Sequence, residues 1–386
     1  MTLVSCRSGG IAESGKSYDS HIWRWTMREF GGKSPAMLKP TMAEVAKASG
    51  VSKNTVSLAL RGSPRISEAT RTRIEEVARN LGYRLNPTVA HLMAELRQNR
   101  SPGFQATLAM INANEDRDAM SKHPTVPVYV AGCRQRAQQL GYRLDEFWLH
   151  ETNMPLARWQ SIFRARNIRG AVIVGLMQRN RLPAHLAPLW DEFPALVTGV
   201  RTREPALSFA CSDQHSLALM AFEKAVALGY QRPALVLDGV IDALIEGRFT
   251  AGFLTGQSRL VPVGQRTQPF YDVAAARGDR AIFSKWFAEN QPDVIFTLYH
   301  EVKRWIQEMG LRVPEDVGLI QYEWRSDHGG WAGMDQRNDL VGAAAVDMLI
   351  SLVHHNERGV PEHPRATLIG SHWVDGTTVK AASAVD

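Results

Sequence analysis

The chain has 386 residues, 44% of them hydrophobic and 22% charged, with a formal net charge of +6. That length and balance suit two or three globular units, not a disordered or fibrous chain, and no apolar run is long enough to span a bilayer. Its three cysteines, Cys6, Cys133 and Cys211, are too widely spaced for a metal pattern or a disulfide framework, which fits a reducing cytoplasm.

In the first 36 residues the cations Arg7, Lys16 and Arg24 are scattered, and no apolar core with a small-residue cleavage site follows, so no secretory signal is read there. A new start is possible at Met37, so residues 1–36 are expected to be a disordered extension or a mis-assigned start.

From Thr41 to Arg61 the sequence TMAEVAKASGVSKNTVSLALR reads as two short helices joined by a tight turn. Thr41 and Glu44 have capping-box spacing, which starts the first helix at Met42. Met42, Val45, Ala46 and Ser49 share one face, and Gly50 supplies the positive φ that ends the helix. Ser52 caps the second helix, whose Val56, Ala59 and Leu60 turn inward. Lys53, Asn54, Ser57 and Leu58 are left facing outward. Ser67 caps a third helix carrying Ile74, Val77, Ala78 and Leu81 at helical spacing. A polar helix displayed in this way is the geometry that enters the major groove of DNA. The bland reading of the same pattern is a three-helix bundle that packs on another protein. Beyond Gly82-Tyr83, Asn86 and Pro87 open one more short helix.

Taken together, the helix-turn-helix, RISEATRTRIEEVARNLGY and NPTVAHLM resemble the lactose/galactose-repressor (LacI/GalR) family of bacterial transcription regulators. The resemblance is specific over residues 41–93 and weaker to about residue 378. It implies a helix-turn-helix head over residues 37–85, a hinge helix and linker over 86–104, and a two-lobed α/β effector and dimerisation domain over 105–386. The run from Met37 to Thr41 looks like the usual start of this family. By position, Leu92 is then the wedge that opens a base step in the minor groove, with Met93 beside it. The residues expected at DNA are Thr41, Ser52, Lys53, Asn54, Thr55, Ser57, Leu58, Arg61, Asn86, Leu92 and Met93. Leu58 stands where the family often has Arg or His, and Val89-Ala90-His91-Leu92 where it often has Ala-Arg-Ser-Leu. The operator sequence therefore does not transfer from a relative.

Charge supports the DNA reading. Residues 37–100 hold eleven Lys/Arg against five Glu, an excess equal to the net charge of the whole chain. Phosphate attraction would make binding salt-dependent.

From residue 105 onward, apolar strands alternate with helices. Strands are read at 106–113, 142–149, 170–175, 195–200, 233–239, 293–299 and 317–324. Helices are read at 128–140, 155–166, 216–228, 281–290, 302–309 and 340–354, and the stretch 371–379 is a final strand. Repeated βα units predict parallel sheets covered on both faces, and nearly 280 residues predict two lobes. Such sheets bind ligands at the carboxyl ends of their strands. The half resembles the periplasmic sugar-binding fold that the family uses for its effector. The cleft candidates are Asn112, Arg201, Asp213, Arg248, Tyr299, His300 and Trp324, each of which reads equally as a loop or capping residue. Tyr299 and His300 stand where the family has an Asn-Asp pair. Trp324 is expected as an aromatic platform for a sugar face. Trp373 reads as core or interface.

No nucleotide, hydrolase or zinc motif is present in the sequence, so an enzyme is not expected, nor a metal or cofactor. The expectation is a cytoplasmic, nucleoid-associated homodimeric repressor on a pseudo-palindromic operator, controlled by a small metabolite such as a sugar. The competing class is a small-molecule-binding module whose helical head mediates protein association.

Overall fold

The computed structural model describes residues 41–60, 66–83, 104–152, 154–327 and 329–381. The chain divides into two units, one within residues 1–99 and the other within 100–386.

In the first unit, α1 (Met42–Ser49) begins where the capping box closes. Thr41 Oγ1 accepts from the Glu44 amide at 3.4 Å, and Glu44 Oε2 accepts from the Thr41 amide at 2.6 Å. A cap of this type contributes about 1 kcal/mol. Gly50 ends the helix at φ 65°, left-handed backbone in which a side chain would be strained. Ser52 Oγ accepts from the Thr55 amide at the start of α2 (Lys53–Leu60), and Ser67 Oγ from the Thr70 amide at the start of α3 (Glu68–Asn80). Val45, Ala46, Val56, Ala59, Ile74 and Ala78 form the core that the three helices share. Burial of each Val or Ile there is worth roughly 1.5–3 kcal/mol. Leu81 departs from expectation. It is 40% exposed, because the helix stops at Asn80 and the turn through Gly82 takes Leu81 off the buried stripe.

The second unit holds two sheets. The first is entirely parallel, in the order β10-β5-β4-β3-β1-β2, with β1 Ala106–Asn112, β2 Tyr142–Trp148, β3 Ile168–Val174, β4 Ala195–Thr198, β5 Ser208–Ser212 and β10 Ala366–Ile369. The second has the order β11-β9-β8-β7-β6, with β6 Pro233–Val236, β7 Val294–Thr297, β8 Gly318–Gln321, β9 Ala332–Asp335 and β11 His372–Val374. Its strands are parallel except β11, which runs antiparallel to β9. β1, β4 and β6 to β8 lie in the expected apolar runs and are buried along their whole length, as strands covered on both faces must be, while β3 starts two residues before its expected run and is buried except at Arg169.

Three segments cross between the sheets: β5 into the helix Gln214–Ala227 and β6, β9 into the helix Asn338–His354 and β10, and β10 directly into β11. They are tied to one another, since the Ser212 hydroxyl donates to Gln336 Oε1 at 3.0 Å and the Asp213 amide to the Ile369 carbonyl at 2.9 Å. In the first lobe, Asn338–His354 packs closely on Val126–Gln139. A Cβ on Gly132 would run into the carbonyl of Asp339, and one on Gly342 into the carbonyl of Tyr129.

The expected strand over 371–379 is shorter than read. Only His372–Val374 pairs with β9. Beyond it, Thr378 uses its hydroxyl to bond Leu319 and Ala332 from the side, which ends the ladder. Trp373 packs partly buried against the core, as read, with Lys224 5.5 Å from its ring.

Candidate functional site

Two places gather the residues singled out from sequence. In the first unit, α2 keeps Val56 and Ala59 in the core. Lys53 is exposed, while Thr55, Ser57 and Leu58 are half-buried on the helix flank. Thr55 and Ser52 share a hydroxyl–hydroxyl bond of 2.9 Å, so both serve the cap as well as the surface. Thr41 is exposed at the start of α1, with its hydroxyl on Glu44. Asn54 lies within α2. Arg61, Asn86, Leu92 and Met93 lie outside the described residues.

In the second unit, Asn112 ends β1 with its side chain fully buried. Its amide donates to the carbonyls of Asp116 and Arg117, and its oxygen accepts from the Asn114 amide. It therefore shapes the loop instead of offering polar groups to a ligand. Beside that loop is a cavity of about 240 Å³, lined by Asn114, His150, Met177, Gln178, Arg179 and Arg181 at the carboxyl ends of β1, β2 and β3. The wall formed by Gln178, Arg179 and Arg181 also bounds a second space, of about 450 Å³, whose far side is Gly239, Val240, Ala243 and Leu244 of the other lobe. This space opens between the lobes.

Arg201 and Arg248 do come together. Arg248 starts the helix Arg248–Leu260 of the second lobe and reaches β5 of the first. Its Nη1 lies 3.2 Å from both Cys211 Sγ and Gln214 Oε1, and its guanidinium sits 5.2 Å from the Phe209 ring centre. Burial pushes the Cys211 thiol up to about 11 in spite of that cation, so it stays protonated at neutral pH. Glu246, two residues before Arg248, lies 3.7 Å from Arg248, 3.8 Å from Arg201 and 3.2 Å from Arg203. Glu246 and Arg203 were not picked out from sequence, because neither belongs to a motif.

Asp213 is a helix cap. Its two oxygens accept from the amide and hydroxyl of Ser216 at 3.1 and 2.8 Å. Tyr299, His300 and Trp324 gather in the second lobe. The Tyr299 hydroxyl accepts from the Asp238 amide, Arg277 lies 5.3 Å from its ring, and burial pushes the phenol far up. His300 meets Trp331 edge-on at 4.7 Å. Trp324 donates its indole N–H to the Trp331 carbonyl at 3.0 Å and packs on the core around Trp305. Its ring thus serves the lobe's packing, in place of the free platform expected from sequence.

A further polar group bridges the lobes behind these. Glu323, directly after Tyr322, has its carboxyl raised by burial, with Thr125 and Arg325 acting against that rise. Asn338 Nδ2 approaches it at 3.4 Å. His123, on the first-lobe side, is pushed down by burial and then by the charge of Arg325. The sequence signal for Glu323 was its place at the end of a buried strand, one residue before the tryptophan that drew attention instead.

Comparison with known proteins agrees with this layout. Residues 41–86 match the family model described as bacterial regulatory proteins, lacI family. Over 319 residues the chain is 25% identical to the HTH-type transcriptional regulator PtxS of Pseudomonas putida, covering 80% of this chain and 88% of that one. Over 337 residues it is 25% identical to the lactose operon repressor of Escherichia coli, covering 82% and 85%. Among solved structures, the lac repressor dimer bound to operator and the anti-inducer ONPF aligns with a TM-score of 0.52 at 21% identity, over 89% of this chain and 100% of that one. A complex of the transcriptional regulator CelR with cellobiose aligns with a TM-score of 0.52 at 18% identity, over 88% and 99%. At such identities the structures speak for the fold.

Proposed function

We propose that the chain, which matches the lacI family model over residues 41–86, is a bacterial transcription regulator of that family and a sequence-specific repressor whose grip on DNA is set by a small metabolite held between the two lobes. It is a regulator and not an enzyme, as its relatives are. The observation that carries the reading is the presence, in one chain, of a capped helix-turn-helix head and a two-lobed unit joined by three crossings. The head supplies recognition. Lys53, Asn54, Ser57 and Leu58 of α2 face base edges, and the basic excess of residues 37–100 supplies phosphate attraction. The segment 86–104 acts as a hinge helix and linker, with Leu92 as the wedge.

The two-lobed unit supplies control. Three crossings allow the lobes to close over a ligand while keeping each sheet intact. A ligand that binds one lobe arrangement better than the other shifts the equilibrium, and the hinge segments of a homodimer carry that shift to a pseudo-palindromic operator. The complex of a similar regulator with cellobiose supports a sugar-like effector. A DNA regulator of this kind works in the cytoplasm, on the nucleoid. No helix among the described residues is long and apolar enough to cross a membrane.

The test is selection of bound sites from a random duplex pool at moderate salt. A two-fold symmetric motif is expected. Failure to enrich any motif, with binding lost smoothly as salt rises, would leave only non-specific attraction and remove the repressor reading.

A further inference from the structure

The mouth of the interlobe space carries an excess of arginine that the neutral-sugar reading does not use. The loop after β3 and the loop after β4 are stitched together by backbone: the Arg203 amide donates to the Asn180 carbonyl and the Leu182 amide to the Glu204 carbonyl, both at 2.8 Å. This pairing sets Arg179 and Arg181 beside Arg201 and Arg203 on the first-lobe rim. From the second lobe Arg248 reaches the same place. Among the described residues two acids pair with these five cations, Glu204 with Arg181 at 3.0 Å and Glu246 with Arg201, Arg203 and Arg248, while Asp213, near Cys211, is taken up by Ser216. Glu115 lines the neighbouring cavity, and Asp242 is bonded to Thr250.

Glu246 is a poor match for its partners. One carboxylate has two oxygens, while three guanidiniums offer five N–H donors each. Only Arg203, at 3.2 Å, is at hydrogen-bond distance, whereas Arg201 and Arg248 stand off at 3.8 and 3.7 Å. Glu246 also holds a left-handed backbone at φ 59°, which is costly for a residue with a side chain. Arg248 turns its Nη1 to Cys211 and Gln214, so Glu246 is the carboxylate that all three arginines surround while only Arg203 bonds it.

We propose that the effector carries an acidic group, a carboxylate or a phosphate, which displaces Glu246 among Arg201, Arg203 and Arg248 while the rest of the molecule lies in the space bounded by Arg179 and Val240. The inference rests on the small-molecule reading above and adds the chemical class. Because the receptor draws on both lobes, the acidic group bridges them, and its binding favours the closed arrangement.

The experiment is a thermal-shift and calorimetric panel on the full chain. It pairs each of a series of sugar acids and sugar phosphates with its neutral parent sugar at constant ionic strength. An acidic member is expected to stabilise the protein where its parent does not. The double variant Arg201→Gln/Arg203→Gln is expected to weaken that ligand by about tenfold or more, the loss that follows from removing charge-assisted bonds. The variant Glu246→Gln is expected to keep or strengthen binding, because it removes the competing charge. Stabilisation by a neutral parent as great as by its acid would overturn the proposal. So would acid binding that ignores the arginine substitutions. If no member of either series binds, the proposal falls together with the effector reading beneath it, whereas success of the neutral sugars alone leaves that reading standing.

Discussion

Arg248 of the second lobe and Cys211 of the first face each other across the cleft, guanidinium Nη1 to thiol Sγ at 3.2 Å. The contact crosses between lobes that only three chain segments join. On the proposed reading, a side chain placed there changes its contacts as the lobes close. Arg248→Ala is therefore expected to leave operator affinity within about twofold and to abolish the response to effector, a difference that a gel-shift titration with and without effector reads directly. An unchanged response would remove Arg248 from the control site.

α2 presents Lys53 to solvent, with Asn54 next in the helix. Replacing both by alanine is expected to change the motif recovered by site selection, since base contacts of this kind discriminate by roughly 1–3 kcal/mol each. Arg73→Ala, on α3, should at most lower affinity evenly for all sequences. Recovery of one motif from wild type and the Lys53/Asn54 double variant would mean that these residues do not read bases.

Leu92 lies outside the described residues, and its role as a minor-groove wedge is an expectation from the family resemblance. Leu92→Ala should reduce DNA bending and specific affinity while non-specific affinity stays nearly constant. Equal bending by the two proteins in a phasing assay would dismiss the wedge.

Gly132 lets two helices of the first lobe touch through backbone, with no room for a methyl group beside Asp339. Gly132→Ala should destabilise the second unit by roughly 1–3 kcal/mol through overpacking, read as a lower midpoint in denaturant with the slope unchanged. A midpoint equal to wild type would show that the helices can part at no cost.

Glu323 gives a pH prediction. Burial raises its folded pKa above the ordinary 4.5. Between those two values the folded state holds the extra proton, so stability is fullest below 4.5 and is lost as pH rises through the folded pKa. His123 acts in the opposite sense, because its folded pKa is lowered, so the comparison is between two proteins that share it. As pH falls towards 4.5, wild type should gain melting temperature relative to Glu323→Gln. Parallel curves would show that the carboxyl titrates as if in water.

By itself the sequence determined the head and the kind of second unit. The Thr41 capping box, the serine caps, the Gly50 turn and helical spacing act between residues a few positions apart, so Thr41, Ser52 and Ser67 announce their helices without any knowledge of the fold. Buried parallel strands likewise announce themselves as short apolar runs. The helix Arg248–Leu260 was not legible. Gly252 and Gly256 each cost about 1 kcal/mol of helix propensity, and the reason for them appears only when the helix packs on Gln214–Ala227, where His215 and Phe222 leave no room for a Cβ. β5 was missed because Ser208 and Ser212 interrupt its apolar run, and β10 because it is only partly buried and takes its partner, β5, from far along the chain. The convergence of Arg201, Arg203, Glu246 and Arg248 belongs to the tertiary structure alone. One loop of one lobe and the start of a helix of the other must be folded before those charges meet, and no local pattern encodes a contact that the chain makes only by crossing between sheets.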